Sequence, residues 1–107
     1  MSLFSFLFGN KNAKLLSPQE YKSHIQNKKV QLIDVRTPNE FQQGHIKKAK
    51  NIDVFSKDFI SKIEKLNKDQ AVYVYCRSGG RSRLASKKLA RKGFLEIYDL
   101  KGGYLKW

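Results

Sequence analysis

Apolar and polar positions alternate along the chain in two kinds of run. Gln31-Leu32-Ile33-Asp34-Val35 is compact, apolar and rich in β-branched residues, which predicts a central strand ending at Arg36. Ala71-Val72-Tyr73-Val74-Tyr75, β-branched and aromatic, is the strongest strand signal in the chain. Residues 50–54 and Ile97-Tyr98-Asp99-Leu100 predict two further short strands. Helical spacings lie between them. Ser17-Pro18-Gln19-Glu20 supplies an N-cap, a proline for the first turn and a glutamate for a capping box, so a helix is expected over residues 18–26 with Tyr21 and Ile25 inward. Thr37-Pro38-Asn39-Glu40 repeats that arrangement and opens a short helix that Gly44 can close. Phe59, Ile63 and Leu66 mark a third helix. A fourth is expected over residues 83–92, with Leu84, Ala85 and Leu89 inward and Gly93 as its stop. A last turn after Gly102-Gly103 carries Tyr104, Leu105 and Trp107, with Tyr104 and Trp107 expected to plug the core.

Strands alternating with helices predict an α/β domain whose central sheet is largely parallel and flanked by helices. A chain of 107 residues fits one such domain. Residues 15–107 are expected to form it, with residues 1–14 as an amino-terminal extension. In that extension Leu3-Phe4-Ser5-Phe6-Leu7-Phe8 is apolar but too short to span a bilayer and lacks a basic secretory n-region. Docking onto the domain is its expected role, and cytoplasmic residence is the default.

Charge narrows the partners. Lys and Arg number 22 against 9 Asp and Glu, a formal net charge of +13 that favours anions. The cations are spread along the whole chain without a finger, zipper or RNA-binding signature, so no specific nucleic-acid role is expected. A single cysteine excludes an internal disulfide and offers no metal-binding pair, so neither a metal nor an organic cofactor is expected.

Cys76 is therefore either buried filler or a reactive thiol, and its placement argues for reactivity. It stands at the carboxyl end of the strongest strand and opens the loop Arg77-Ser78-Gly79-Gly80-Arg81-Ser82, which runs into a helix. In open α/β sheets ligands bind at such strand ends. Gly79 and Gly80 allow successive backbone N–H groups to turn inward and cradle an anion, while Arg77 and Arg81 add positive charge at the rim. Such a cradle suits a thiolate, a persulfide anion or an incoming sulfur oxyanion.

The segment Cys-Arg-Ser-Gly-Gly-Arg-Ser at residues 76–82 resembles the active-site loop of the rhodanese-like domains. Asp34-Val35-Arg36-Thr37-Pro38-Asn39-Glu40-Phe41 through Gly44-His45-Ile46 resembles their amino-terminal signature, and Lys101-Gly102-Gly103-Tyr104 with Trp107 resembles their closing motif. The three matches come in family order and span nearly all of residues 15–107. The resemblance implies a three-layer rhodanese-like fold and a sulfurtransferase in which Cys76 is the nucleophile. Residues 77–82 would then bind a sulfur oxyanion donor such as thiosulfate, and a thiol, cyanide or a sulfur-relay protein would accept the sulfur. Where the family often has Pro-Gly-Ala, this chain has Lys47-Lys48-Ala49.

Other residues carry plainer expectations. Asp34 and Arg36 are candidates for the pocket border, although an ion pair fixing the strand-to-helix turn is the stronger reading. Glu40 is read as a capping residue, His45 as part of a structural turn and His24 as solvated. Two rival functions remain. Phosphatases and arsenate reductases that resemble rhodanese carry arginine at the sixth position after the cysteine, but here Ser82 stands there and Arg81 one place earlier. A persulfide carrier or protein-interaction module would share the fold, and interaction versions commonly lack the cysteine.

Overall fold

The computed structural model describes residues 12–26 and 29–107. Five strands form one sheet: β1 (Ala13–Leu16), β2 (Gln31–Asp34), β3 (Lys50–Asn51), β4 (Val72–Tyr75) and β5 (Ile97–Leu100). Their order across the sheet is β1-β5-β4-β2-β3 and every pairing is parallel. Four helices connect them: α1 (Pro18–Ile25), α2 (Pro38–Gln42), α3 (Phe59–Ile63) and α4 (Gly80–Arg91), with a 3-10 turn at Tyr104–Lys106. Among the described residues no helix is long and apolar enough to cross a membrane. Because all strands run one way, the residues that follow β2, β4 and β5 share one edge of the sheet. That edge collects Arg36, the Cys76 loop and Gly102-Gly103.

Burial explains why β4 reads as an unbroken apolar run. All four of its residues are buried, and the strand period of two divides them between two cores. Val72, Val74 and Cys76 pack with Ile33, Val35, Ala85, Leu89 and Phe94 on the face covered by α3 and α4. Tyr73 and Tyr75 pack with Tyr21, Leu32 and Leu100 on the face covered by α1. Helices on both faces make the expected three layers.

Both capping boxes form. Ser17 Oγ accepts from the Glu20 amide at 3.1 Å while the Glu20 carboxylate accepts from the Ser17 amide at 3.0 Å, and Thr37 with Glu40 does the same on α2.

Several expectations are corrected. The strand β1 was not foreseen and begins at Ala13, inside the expected extension; it pairs with β5 although Lys14 interrupts its apolar pattern. The stretch Leu3 to Phe8 lies outside the described residues. α3 ends at Ile63, because Leu66 closes through a tighter bond from its amide to the Ile63 carbonyl at 2.9 Å. β3 is a two-residue strand, yet the Ile52 and Val54 amides still bond Asp34 and Val35 carbonyls at 2.9 and 3.1 Å. α4 starts at Gly80 rather than at residue 83. Trp107 is 42% exposed, so it is no core plug; its ring lies edge-on to Tyr21 at 6.0 Å. His24 is not simply solvated, since its Nδ1 hydrogen-bonds the Tyr73 hydroxyl at 2.9 Å.

Candidate active site

β4 delivers Cys76 to the sheet edge, and the chain then turns at Gly79 into α4. Gly79 has φ +126°, a backbone conformation that side chains oppose, and this turn aims its own N–H back at the sulfur, donating to Cys76 Sγ at 3.0 Å. Gly79 is the N-cap of α4, so the bond to the sulfur comes from the amino terminus of that helix, its positive end. Ser82, from that turn, places Oγ 3.5 Å from Sγ and donates to the Gly79 carbonyl at 3.2 Å. Cys76 is 1% exposed. What separates it from ordinary buried filler is the donor and the helix terminus trained on its sulfur.

A second support comes from the carboxyl end of the chain. The Tyr104 amide donates to the Cys76 carbonyl at 2.8 Å and the Leu105 amide to the Arg77 carbonyl at 3.0 Å. These bonds require close approach at Gly103, where φ is +65° and an added Cβ would sit 2.5 Å from the Arg77 carbonyl oxygen. The closing Gly102-Gly103 motif thus clamps the backbone of Cys76 and Arg77.

The rim residues diverge. Arg77 and Ser78 are exposed beside the buried sulfur. Arg81 instead turns to Glu40, bonding both carboxylate oxygens at 2.6 and 3.0 Å. That guanidinium, aided by the Thr37 amide and hydroxyl, holds the Glu40 carboxyl down at about 2. Glu40 is therefore both a cap and the partner of the loop's second arginine, a pairing across 41 positions that no local pattern announces.

Asp34 and Arg36 form the ion pair expected of them. Arg36 Nη2 lies 2.6 Å from Asp34 Oδ2, the side chains are 5% and 0% exposed, and the same nitrogen donates to the Gly44 carbonyl at 2.6 Å. The Arg36 guanidinium also stacks over the Tyr104 ring at 4.6 Å. Nε and Nη2 are held by Asp34 and Gly44, which makes the pair a brace for this edge of the sheet. His45 stacks on Phe41 at 3.7 Å and bonds its carbonyl at 2.8 Å, the structural turn expected.

One residue beside the loop was missed. Asp99 on β5 is 1% exposed, and its Oδ1 has no hydrogen-bond partner. Its signal was a carboxylate set inside an otherwise apolar strand.

A parallel five-stranded sheet among helices, with a loop that leads from Cys76 at a carboxyl strand end into a helix, sets the class of this protein by its fold. The chain belongs to the rhodanese-like domain family, whose model matches residues 17–107. It is 39% identical over 103 residues to the uncharacterized protein YqhL of Bacillus subtilis, covering 96% of this chain and 79% of that one. It is 41% identical to part of the adenylyltransferase and sulfurtransferase UBA4 of Candida albicans, spanning 86% of this chain but 23% of that protein. A similar partial match, at 33% identity, covers 33% of the tRNA uridine(34) hydroxylase of Pelagibacter ubique. Among solved structures, a rhodanese-like domain protein from Staphylococcus aureus superposes with a TM-score of 0.77 at 29% identity, covering 88% of this chain and 90% of that one.

Proposed function

We propose that the protein is a sulfurtransferase that moves a sulfane sulfur from a donor such as thiosulfate to a thiophilic acceptor through a Cys76 persulfide. The observation that carries this reading is the Gly79 N–H on Cys76 Sγ at 3.0 Å, backed by the α4 terminus. A donor fixed there stabilises negative charge on the sulfur before attack and on the terminal sulfur afterwards. The Cys76 thiolate attacks the outer sulfur of thiosulfate; a new S–S bond forms, the old one breaks, and sulfite leaves with its electron pair. An acceptor thiolate or cyanide then attacks the persulfide's outer sulfur, and the Cys76 thiolate leaves with the bonding pair. Release needs an outside acceptor, because the chain has no second cysteine.

Arg77, exposed at the rim, would draw in the oxyanion; Ser78, Gly79, Gly80 and Ser82 would shape its seat, while Arg81 acts through its bond to Glu40. Ser82 occupies the place of a phosphatase arginine, which favours sulfur over phosphate chemistry. A cytoplasmic setting, rich in thiols, suits the cycle. A relay to or from a protein partner is the second reading. It is favoured by the match to one segment of the longer sulfurtransferase UBA4.

The deciding experiment is mass spectrometry after exposure to thiosulfate. Wild type should gain one sulfur on Cys76 that reduction removes, and Cys76→Ser should fold, gain none and transfer nothing to cyanide. Transfer surviving in Cys76→Ser overturns the mechanism. Loading by a protein donor but not by thiosulfate selects the relay.

A further inference from the structure

Asp99 has no part in the cycle above, yet it is an acid buried one side chain away from the nucleophile. It lies on β5 beside Val74 of β4, with Leu15 of β1 opposite it on the other flank. The residue is 1% exposed and Oδ1 is unpartnered, which disfavours the charged form of the carboxyl. Ser82 of α4 approaches it, and the same Ser82 hydroxyl stands 3.5 Å from Cys76 Sγ. One hydroxyl thus lies between a carboxyl and a thiol.

We propose that Asp99 is a positioning residue that sets the Ser82 hydroxyl and, through it, makes the reactivity of Cys76 depend on pH. The inference takes Cys76 as the nucleophile of the proposed sulfur transfer. When Asp99 is neutral, its own O–H can donate to Ser82 Oγ, and the Ser82 proton is directed away from it, toward the sulfur or the Gly79 carbonyl. When Asp99 is ionised, it draws the Ser82 proton to itself, and a buried negative charge then sits near any anion on the sulfur. The neutral acid favours the sulfur anion and the carboxylate opposes it.

The surroundings place this change near neutrality. Burial pushes the Asp99 carboxyl up to about 7, opposed by the Ser82 hydroxyl and the Leu100 amide. Among the described residues the groups placed around it are not cations: Leu15 of β1 is apolar, Ser82 comes from α4 and Cys76 from the end of β4, and Tyr21, a buried phenol on the opposite face of the sheet, donates its hydroxyl to the Val74 carbonyl at 3.0 Å. Arg81, a cation of the Cys76 loop, is held by Glu40.

The test is the rate of Cys76 alkylation by iodoacetamide in wild type and Asp99→Asn as a function of pH, a measurement that needs no sulfur transfer. Failure of the sulfurtransferase reading would therefore leave this result intact. The ratio of the variant's rate to the wild type's should be near one below about pH 6 and rise across neutrality toward about tenfold, the equivalent of one pKa unit. A ratio independent of pH overturns the proposal, since a merely structural effect would scale all rates alike. If Asp99→Asn does not fold, the carboxyl carbon of Asp99 in wild type, followed by NMR, should titrate between about pH 6 and pH 8. A carboxyl that keeps one protonation state across that range overturns it equally.

Discussion

Arg81 grips Glu40 with two parallel hydrogen bonds, Nη1 to Oε1 at 2.6 Å and Nη2 to Oε2 at 3.0 Å, and so ties the first turn of α4 to the first turn of α2. The side chains are 23% and 27% exposed, intermediate between a surface pair and a buried one. Glu40→Gln should cost about 1 kcal/mol in a denaturant titration at neutral pH. The Glu40 carboxyl lies below its unfolded value, so the pair's contribution is complete above about 4.5 and is lost as pH falls through about 2. The gap between wild type and Glu40→Gln should close over that window.

Arg77 and Arg81 should respond differently to removal. Arg77 is exposed and makes no ion pair among the described residues. Arg77→Gln should lower kcat/KM for thiosulfate and flatten its fall with added salt, as expected when a steering charge is lost. Arg81→Gln should instead resemble Glu40→Gln in stability. Lys62→Gln, at a residue paired with Asp58 on α3, is the control and should change neither. Kinetics over a salt series, with a melting curve for each variant, measures both effects.

Gly103 and Gly80 offer a second contrast. A Cβ at Gly103 would lie 2.5 Å from the Arg77 carbonyl oxygen and 2.7 Å from that of Cys76, whereas at Gly80 it would meet nothing within 4 Å. Gly103→Ala must push away the backbone that carries Cys76, so a loss of more than about 2 kcal/mol and of most of the proposed sulfur transfer is expected. Gly80→Ala, inside the first turn of α4, should keep stability within about 1 kcal/mol and leave the fold of the loop intact. Thermal unfolding of the two variants decides this.

Lys48 stands at φ +75°, at the turn where the resemblance led one to expect Pro-Gly-Ala. The chain keeps the left-handed turn without the glycine, at a cost of roughly 1 kcal/mol for an ordinary side chain. Lys48→Gly should therefore stabilise the protein by up to about 1 kcal/mol in denaturant unfolding, with no change in sulfur transfer.

The sequence by itself determined the local units and the place of Cys76 between a strand and a helix. Both capping boxes, the strands at Gln31 and Val72, and the loop after Cys76 are written in contiguous residues, because caps, turns and strand propensity act over a few positions. Tertiary structure decided the rest. β1 was invisible because four residues broken by Lys14 carry too little pattern, and only pairing with β5 makes them a strand. An apolar run such as Val72 to Tyr75 does not say which face meets which helix; the layers above and below the sheet settle that. The Glu40–Arg81 pair, the Gly103 clamp on Cys76 and the approach of Asp99 to Ser82 join residues far apart in the chain. Such contacts exist only once parallel strands bring their carboxyl ends to one edge, and no local periodicity encodes them.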